Sequence, residues 1–219
     1  RLSLPPRLSG LLLAFGALAA LAALATWSAS DPSFSFATDK HPANLFGFAG
    51  AAFSDLMIQF FGLASFVAVL PPAIWAISYL KRRKPAQMGA RLLVWPVAVI
   101  LTAGFLSCFV TPATWPLPTG LGGLVGAGFT ALARSLTGET PGGAAAILYG
   151  LILLPPTLAA LWFATAITGA KLEAAPEDTE EADRTGILDV GIGALVHLGF
   201  SLRTAWRRAI SRERGSAPT

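Results

Sequence analysis

The sequence predicts an all-α polytopic membrane protein with four transmembrane helices, an outer re-entrant or interfacial helix and a cytoplasmic amphipathic surface helix. Three observations carry that prediction. Apolar residues make up 54% of the 219 and charged residues only 13%, about half the charged share of soluble domains. Long apolar stretches recur at 8–27, 56–80, 92–110 and 144–167, each enough at 1.5 Å per residue to approach or cross a hydrocarbon core about 30 Å thick. Of sixteen Lys and Arg, all but Lys40 and Arg134 fall in segments that alternate to one side of those spans, and the positive-inside rule then places both termini in the cytoplasm.

In chain order, Arg1 and Arg7 precede the first span, 8–27, which ends on Trp27, an interfacial anchor. The segment lacks the cleavage site of a signal peptide and is read as a retained anchor. Residues 28–43 form a polar outer loop with turn residues Pro32 and Pro42. A long helix is expected from 44 to 80, its first turns in the outer interface and 56–80 spanning, with a kink at Pro71 and Pro72. The run KRRKPAQMGAR then supplies Lys81 to Lys84 and Arg91 without an acid, the strongest orientation signal in the chain.

After the third span, 92–110, comes a glycine-rich outer segment in which 121–136 is apolar but too short to cross. Gly122 and Gly126 stand there at small-xxx-small spacing, which suits a close helix contact. The fourth span, 144–167, closes a membrane domain of residues 1–168. Residues 169–186 are an acidic linker. In 187–214 an apolar stripe faces Arg203, Arg207, Arg208 and Arg212, with Trp206 on the apolar side. Four arginines are too many for a span and suit a helix lying on an anionic inner leaflet; phosphate binding to nucleic acid would leave the stripe unexplained. Residues 215–219 begin a further linker.

Polar residues enter the apolar pattern at helical spacing in one place, 44–62. At 100° per residue Asn44, Gly47, Ala51, Asp55 and Gly62 share an arc of about 80°, with Gln59 at its edge, while Phe53, Leu56 and Phe60 lie opposite. One face is therefore built for protein contact. Asp55 is an ionisable group at the membrane; it is read either as a hydrated structural group one turn above the hydrocarbon or as a partner of Arg134 on the same outer side, the latter if the face of 44–59 receives the glycine-rich segment 122–134.

This stretch resembles the four-helix membrane domain at the N-terminus of FtsK/SpoIIIE-type DNA translocases. In that family an Asp-Pro-Ser turn, here Asp31, Pro32 and Ser33, follows the first span. The second helix opens as N-x-x-G-x-x-G-A-x-x-x-D-x-x-x-Q-x-x-G, here Asn44, Gly47, Gly50, Ala51, Asp55, Gln59 and Gly62. The resemblance covers about 8–168. It implies the membrane anchor and division-site module of a translocase that couples chromosome segregation to cell division, in the bacterial inner membrane at the septum. Other cell-division proteins and further copies of the chain would be its partners. ATP, Mg and DNA would be handled only by a motor that these residues do not contain.

The residues themselves offer no catalytic set: no G-x-x-x-x-G-K-[ST], G-x-S-x-G or H-E-x-x-H motif and no intramembrane carboxylate pair. A single cysteine and two histidines make neither a disulfide nor a metal site. The alternative function, a small transporter or permease subunit, would need a polar pathway, for which only Asp55 and Gln59 are candidates.

Overall fold

The computed structural model describes residues 5–83 and 85–165, which form six helices: α1 (Pro6–Ala25), α2 (Gly47–Phe61), α3 (Ala64–Leu80), α4 (Met88–Leu106), α5 (Gly123–Thr137) and α6 (Ala144–Thr165). The linker 169–186 and the basic helix expected at 187–214 lie outside the described residues. By length and hydropathy α1, α4 and α6 can each cross a membrane, and α2 with α3 makes a fourth crossing if the bent pair is taken as one span.

α1 packs along α3, α4 along α6, and α3 joins the two pairs through α4. Small residues permit this. A Cβ on Gly10 would lie 2.9 Å from the Leu80 nitrogen, so the start of α1 meets the end of α3 backbone to backbone. Ala64, Ala68, Val99 and Ala103 form the buried centre where α3 crosses α4. Outward faces carry the bulk: Phe15 and Leu18 on α1 and Ile147, Leu151 and Ile152 on α6 are exposed, as expected of surfaces solvated by lipid.

The expected continuous helix from 44 to 80 does not form. It breaks after Phe61, and α2 and α3 meet at 111°. Gly62 makes the corner with φ +57 and ψ −136, and the Leu63 N–H, left without an intrahelical acceptor, donates to the Leu121 carbonyl at 2.9 Å. The Ser65 hydroxyl closes the inside of the corner on the Met57 carbonyl at 2.6 Å.

The bend is therefore set by a glycine and not by the prolines. α3 stays helical through Pro71 and Pro72. Pro72 has no N–H for the carbonyl four residues back, that of Ala68, and the Trp95 indole of α4 donates to it at 2.9 Å. Trp75 stands edge-on to Trp95, ring centroids 5.7 Å apart. Its own N–H serves the Ala164 carbonyl in the last turn of α6, at 2.9 Å. Two indoles thus stitch three helices through carbonyls that helix geometry leaves open. Trp95→Phe is expected to lower detergent stability by about 1–3 kcal/mol, the cost of an unsatisfied buried carbonyl; a thermal melt unchanged from that of the parent chain would refute it.

The third span also shifts, from the expected 92–110 to 88–106. Arg91, the last residue of the basic run that precedes the expected span, sits in the first turn of α4 and is only 3% exposed. Its Nε donates to the Ala86 carbonyl at 2.7 Å, and its guanidinium lies 5.8 Å from the centroid of the Phe163 ring. With those contacts available, the helix can start before the arginine.

One consequence organises the molecule. The start of α1, the end of α3, the start of α4 and the end of α6 gather at one end of the bundle. The loop 26–46, α2, the segment 107–122 and α5 all gather at the other, as a cap.

Candidate functional site

The cap is built around the 44–62 stretch. Asn44, Ala51, Ser54, Asp55 and Ile58 are buried, and Phe53, Leu56 and Phe60 are exposed. The polar groups of the buried face are met by the first loop and the end of α1, not by the glycine-rich segment.

Asn44 is the centre of this contact. Its side-chain Nδ2 donates to the Ala23 carbonyl at 2.8 Å and shares longer contacts of 3.3 Å with the Thr26 carbonyl and the Ser54 hydroxyl. Ala23 lies in the last turn of α1, where carbonyls have no helical donor, so Asn44 caps a helix that ended nineteen residues earlier on Ala25. Its Oδ1 accepts from the Phe46 N–H at 3.1 Å and opens the turn into α2. Gly50 is small because it must be: a Cβ there would stand 2.1 Å from Asn44 Oδ1. Asp31 holds the approach, its two carboxylate oxygens accepting the Ala43 and Asn44 N–H groups at 2.9 Å each. Thr26 Oγ1 accepts the Leu45 N–H at 3.2 Å.

One turn further along, Asp55 accepts from the Ser35 hydroxyl, and from Gln59 Nε2 at 2.9 Å. Gln59 also donates to the Ser35 oxygen at 2.6 Å. The expected Asp55–Arg134 pair is not formed. Arg134 is exposed in the last turn of α5, and the Asp55 carboxylate is instead satisfied by neutral donors from its own helix and the first loop. Asp55→Asn and Arg134→Gln are therefore expected to change unfolding stability additively to within about 0.5 kcal/mol. Asp55→Asn and Ser35→Ala share a hydrogen bond and should couple; a double-mutant cycle that found coupling to Arg134 instead would overturn this geometry.

The glycine-rich segment meets the end of α2. Gly123 abuts the backbone of Gln59 to Gly62, while Gly122 and Gly126 turn to α4, where a Cβ on either would come within 2.1 or 2.7 Å of the Ala103 carbonyl oxygen. The small-xxx-small pair thus serves an α4–α5 contact. Gly47, with φ +60, starts α2 and donates its N–H to the Asn44 carbonyl at 2.9 Å, and a Cβ there would meet nothing within 4 Å. Arg203, Trp206, Arg207, Arg208 and Arg212 lie outside the described residues.

Ser35, Ser54 and Arg91 were not singled out as site residues from the sequence. Ser54 could have been, as a hydroxyl beside Asp55 on an apolar helix; Ser35 could not, because only the folded loop brings it to Asp55. What the assembled cap can do is mechanical: it ties loop, α2 and α5 to the bundle and presents the aromatic side of α2, with Phe34 stacked edge-on to Phe48 at 6.0 Å, at the surface.

Comparison with known proteins bears on this cap, since all the motif residues that build it fall within the matched region. Residues 6–172 match the family model described as the 4TM region of DNA translocase FtsK/SpoIIIE. Among curated relatives named DNA translocase FtsK, that of Rhizobium meliloti is 38% identical over 210 residues, covering 89% of this chain and 24% of the relative. Those of Mesorhizobium japonicum and Agrobacterium fabrum are each 40% identical, covering 92% and 74% of this chain and 24% and 19% of the relatives. The chain thus spans about a quarter of the length of the relatives it matches. No solved structure matches it. With the family model covering α1 to α6 and the motif residues forming one connected cap, the chain belongs to the 4TM membrane region of the FtsK/SpoIIIE DNA translocase family.

Proposed function

We propose that this chain is the membrane anchor and division-site module of a chromosome translocase, with the capped end of the bundle outside the inner membrane and both termini in the cytoplasm. In this reading α1, α3, α4 and α6 are the four spans, and α2 and α5 lie in the outer interface. The observation that carries it is the cap: a hydrogen-bonded unit at one end, joined to a bundle whose opposite end holds Arg7, Lys81, Arg82, Arg83 and Arg91. A motor reached through the linker after residue 168 would then act on DNA with ATP and Mg, while the cap meets other cell-division proteins or further copies through the aromatic side of α2. A permease would need polar groups free to meet a substrate along the spans. Asp55 and Gln59 are engaged with each other and Ser35 at the cap, which favours the anchor.

A fluorescent fusion of the chain is expected to gather at the septum of dividing cells, and uniform membrane fluorescence would refute the division-site role. Cysteine variants at Lys40 and Thr137, in a Cys108→Ala background, should react with an impermeant thiol reagent in intact cells, and one at Lys84 should not. Labelling at 84 from outside would overturn the topology. The segment 187–214 is proposed to lie on anionic lipid: as a peptide it should gain helix on phosphatidylglycerol vesicles and lose binding in Leu195→Glu with Trp206→Glu, whereas equal helicity in buffer would argue against a lipid-dependent fold.

A further inference from the structure

A cavity of about 210 Å³ lies between the end of α4, α5 and the first half of α6, lined by Cys108, Phe129, Ala133, Leu136, Tyr149 and Leu153 among others. Most of its polar side chains are already occupied, the Tyr149 hydroxyl being the exception among the described residues. Ser107 and Cys108 donate to the Gly104 carbonyl at 2.7 and 3.6 Å, and Thr130 to the Ala127 carbonyl at 2.8 Å, so apart from the Tyr149 hydroxyl the surface left to a ligand is almost wholly hydrocarbon. The volume is below the roughly 300–1,000 Å³ of sites that enclose drug-sized ligands, which leaves room for a narrow apolar segment such as part of one acyl chain. Leu132, Leu136 and Ile152 at its edge are 58, 76 and 67% exposed. The cleft therefore opens sideways, onto the surface that the outward faces of α1 and α6 present to lipid.

Arg134 does not line the cavity itself, but its place on α5 sets it next to residues that do. It follows Ala133 directly and comes one helical turn after Thr130, both of which line the cavity. It is exposed and, without a carboxylate partner among the described residues, is available to an anion. An apolar slot for one chain beside a single guanidinium is complementary to one class of molecule. We propose that the α4–α5–α6 cleft binds an anionic glycerophospholipid of the surrounding membrane, part of one acyl chain in the cavity and the phosphate on Arg134. The lipid would fill the space under α5 and fix that helix against α4 and α6, a role for Arg134 that its separation from Asp55 leaves open.

The test uses the full chain in phosphatidylcholine nanodiscs carrying a small fraction of phosphatidylglycerol with a diazirine at the end of one acyl chain. After irradiation, crosslinks mapped by mass spectrometry are expected at Cys108, Phe129 and Leu153 at least five-fold above those at Phe15 on the outward face of α1. Excess unlabelled phosphatidylglycerol should suppress them several-fold more than excess phosphatidylcholine. Arg134→Gln, a surface change, should abolish that headgroup preference, and Ala133→Phe, which fills the cavity, should bring crosslinking down to the α1 level. Equal labelling of cavity and outward face would overturn the site. Cavity labelling indifferent to headgroup and to Arg134→Gln would overturn the anionic-lipid assignment.

Discussion

Gly62→Ala is expected to cause the largest loss of stability of any single methyl added to a glycine among the described residues. Gly62 stands at φ +57 and ψ −136, a region that L side chains rarely enter, and enforcing such a conformation costs on the order of 1–3 kcal/mol. The new Cβ would also stand 2.0 Å from the Leu121 carbonyl oxygen and 2.8 Å from the Gly123 nitrogen, both backbone atoms with no rotamer to yield. Overpacking of that kind adds roughly 1–3 kcal/mol, so a total of about 4 kcal/mol is expected, a large part of a typical folding free energy of 5–15 kcal/mol. In practice the variant should melt in detergent about 10 °C or more below the parent chain, or fail to purify as a single species. Gly16→Ala in α1 is the control, because its Cβ meets nothing within 4 Å and alanine is the better helix former by about 1 kcal/mol. If both variants melt with the parent chain, the corner at 62 is not the close contact described.

Asn44→Asp should be nearly as damaging, although it changes a single atom. The carboxylate keeps the acceptor used by the Phe46 N–H but loses both protons that reach Ala23, Thr26 and Ser54. It also sets a negative charge against two carbonyl oxygens at a position only 5% exposed. Each buried carbonyl deprived of its donor costs about 1–3 kcal/mol, so a loss of about 3 kcal/mol or more is expected, at least equal to that of Asn44→Ala. Because Asn44 joins α1 to α2, amide exchange should rise in the last turn of α1 and the first of α2 together, ahead of the α4–α6 contact. A melt within about 0.5 kcal/mol of the parent chain, or exchange confined to one helix, would show that the link is not structural. If the cap presents the division-site surface, septal fluorescence should fall with it while membrane insertion, which the apolar spans drive, is kept.

Both residues were legible in the sequence as members of a patterned face, but what they meet was not. Composition and the apolar runs determine that the chain is helical and crosses a membrane, because backbone groups in hydrocarbon must be satisfied within the segment itself. That requirement is local, and it is why α1 and α6 fall within two residues of their expected bounds where the structure describes them. Helical spacing likewise determines which side of 44–62 is small and polar, since the angle between residues is fixed by the helix alone. Only the tertiary structure decides the rest. An amphipathic face states that it needs a partner without saying which, so Asp55 could be matched on paper to Arg134, a cation on its side, whereas the fold supplies Ser35 from a loop twenty residues back. Continuous hydrophobicity hides the corner at Gly62, because a glycine is compatible with a helix until another backbone, here Leu121, occupies the place of its Cβ. The prolines that read as a kink are accommodated for the same long-range reason: the Ala68 carbonyl that Pro72 leaves open is taken by an indole from a different helix. Arg91 reads as part of a hydrated charge run until Ala86 and Phe163 are found around it. In each case the pattern along the chain fixes what a group requires, and the packing of segments far apart in the chain determines which group meets that requirement.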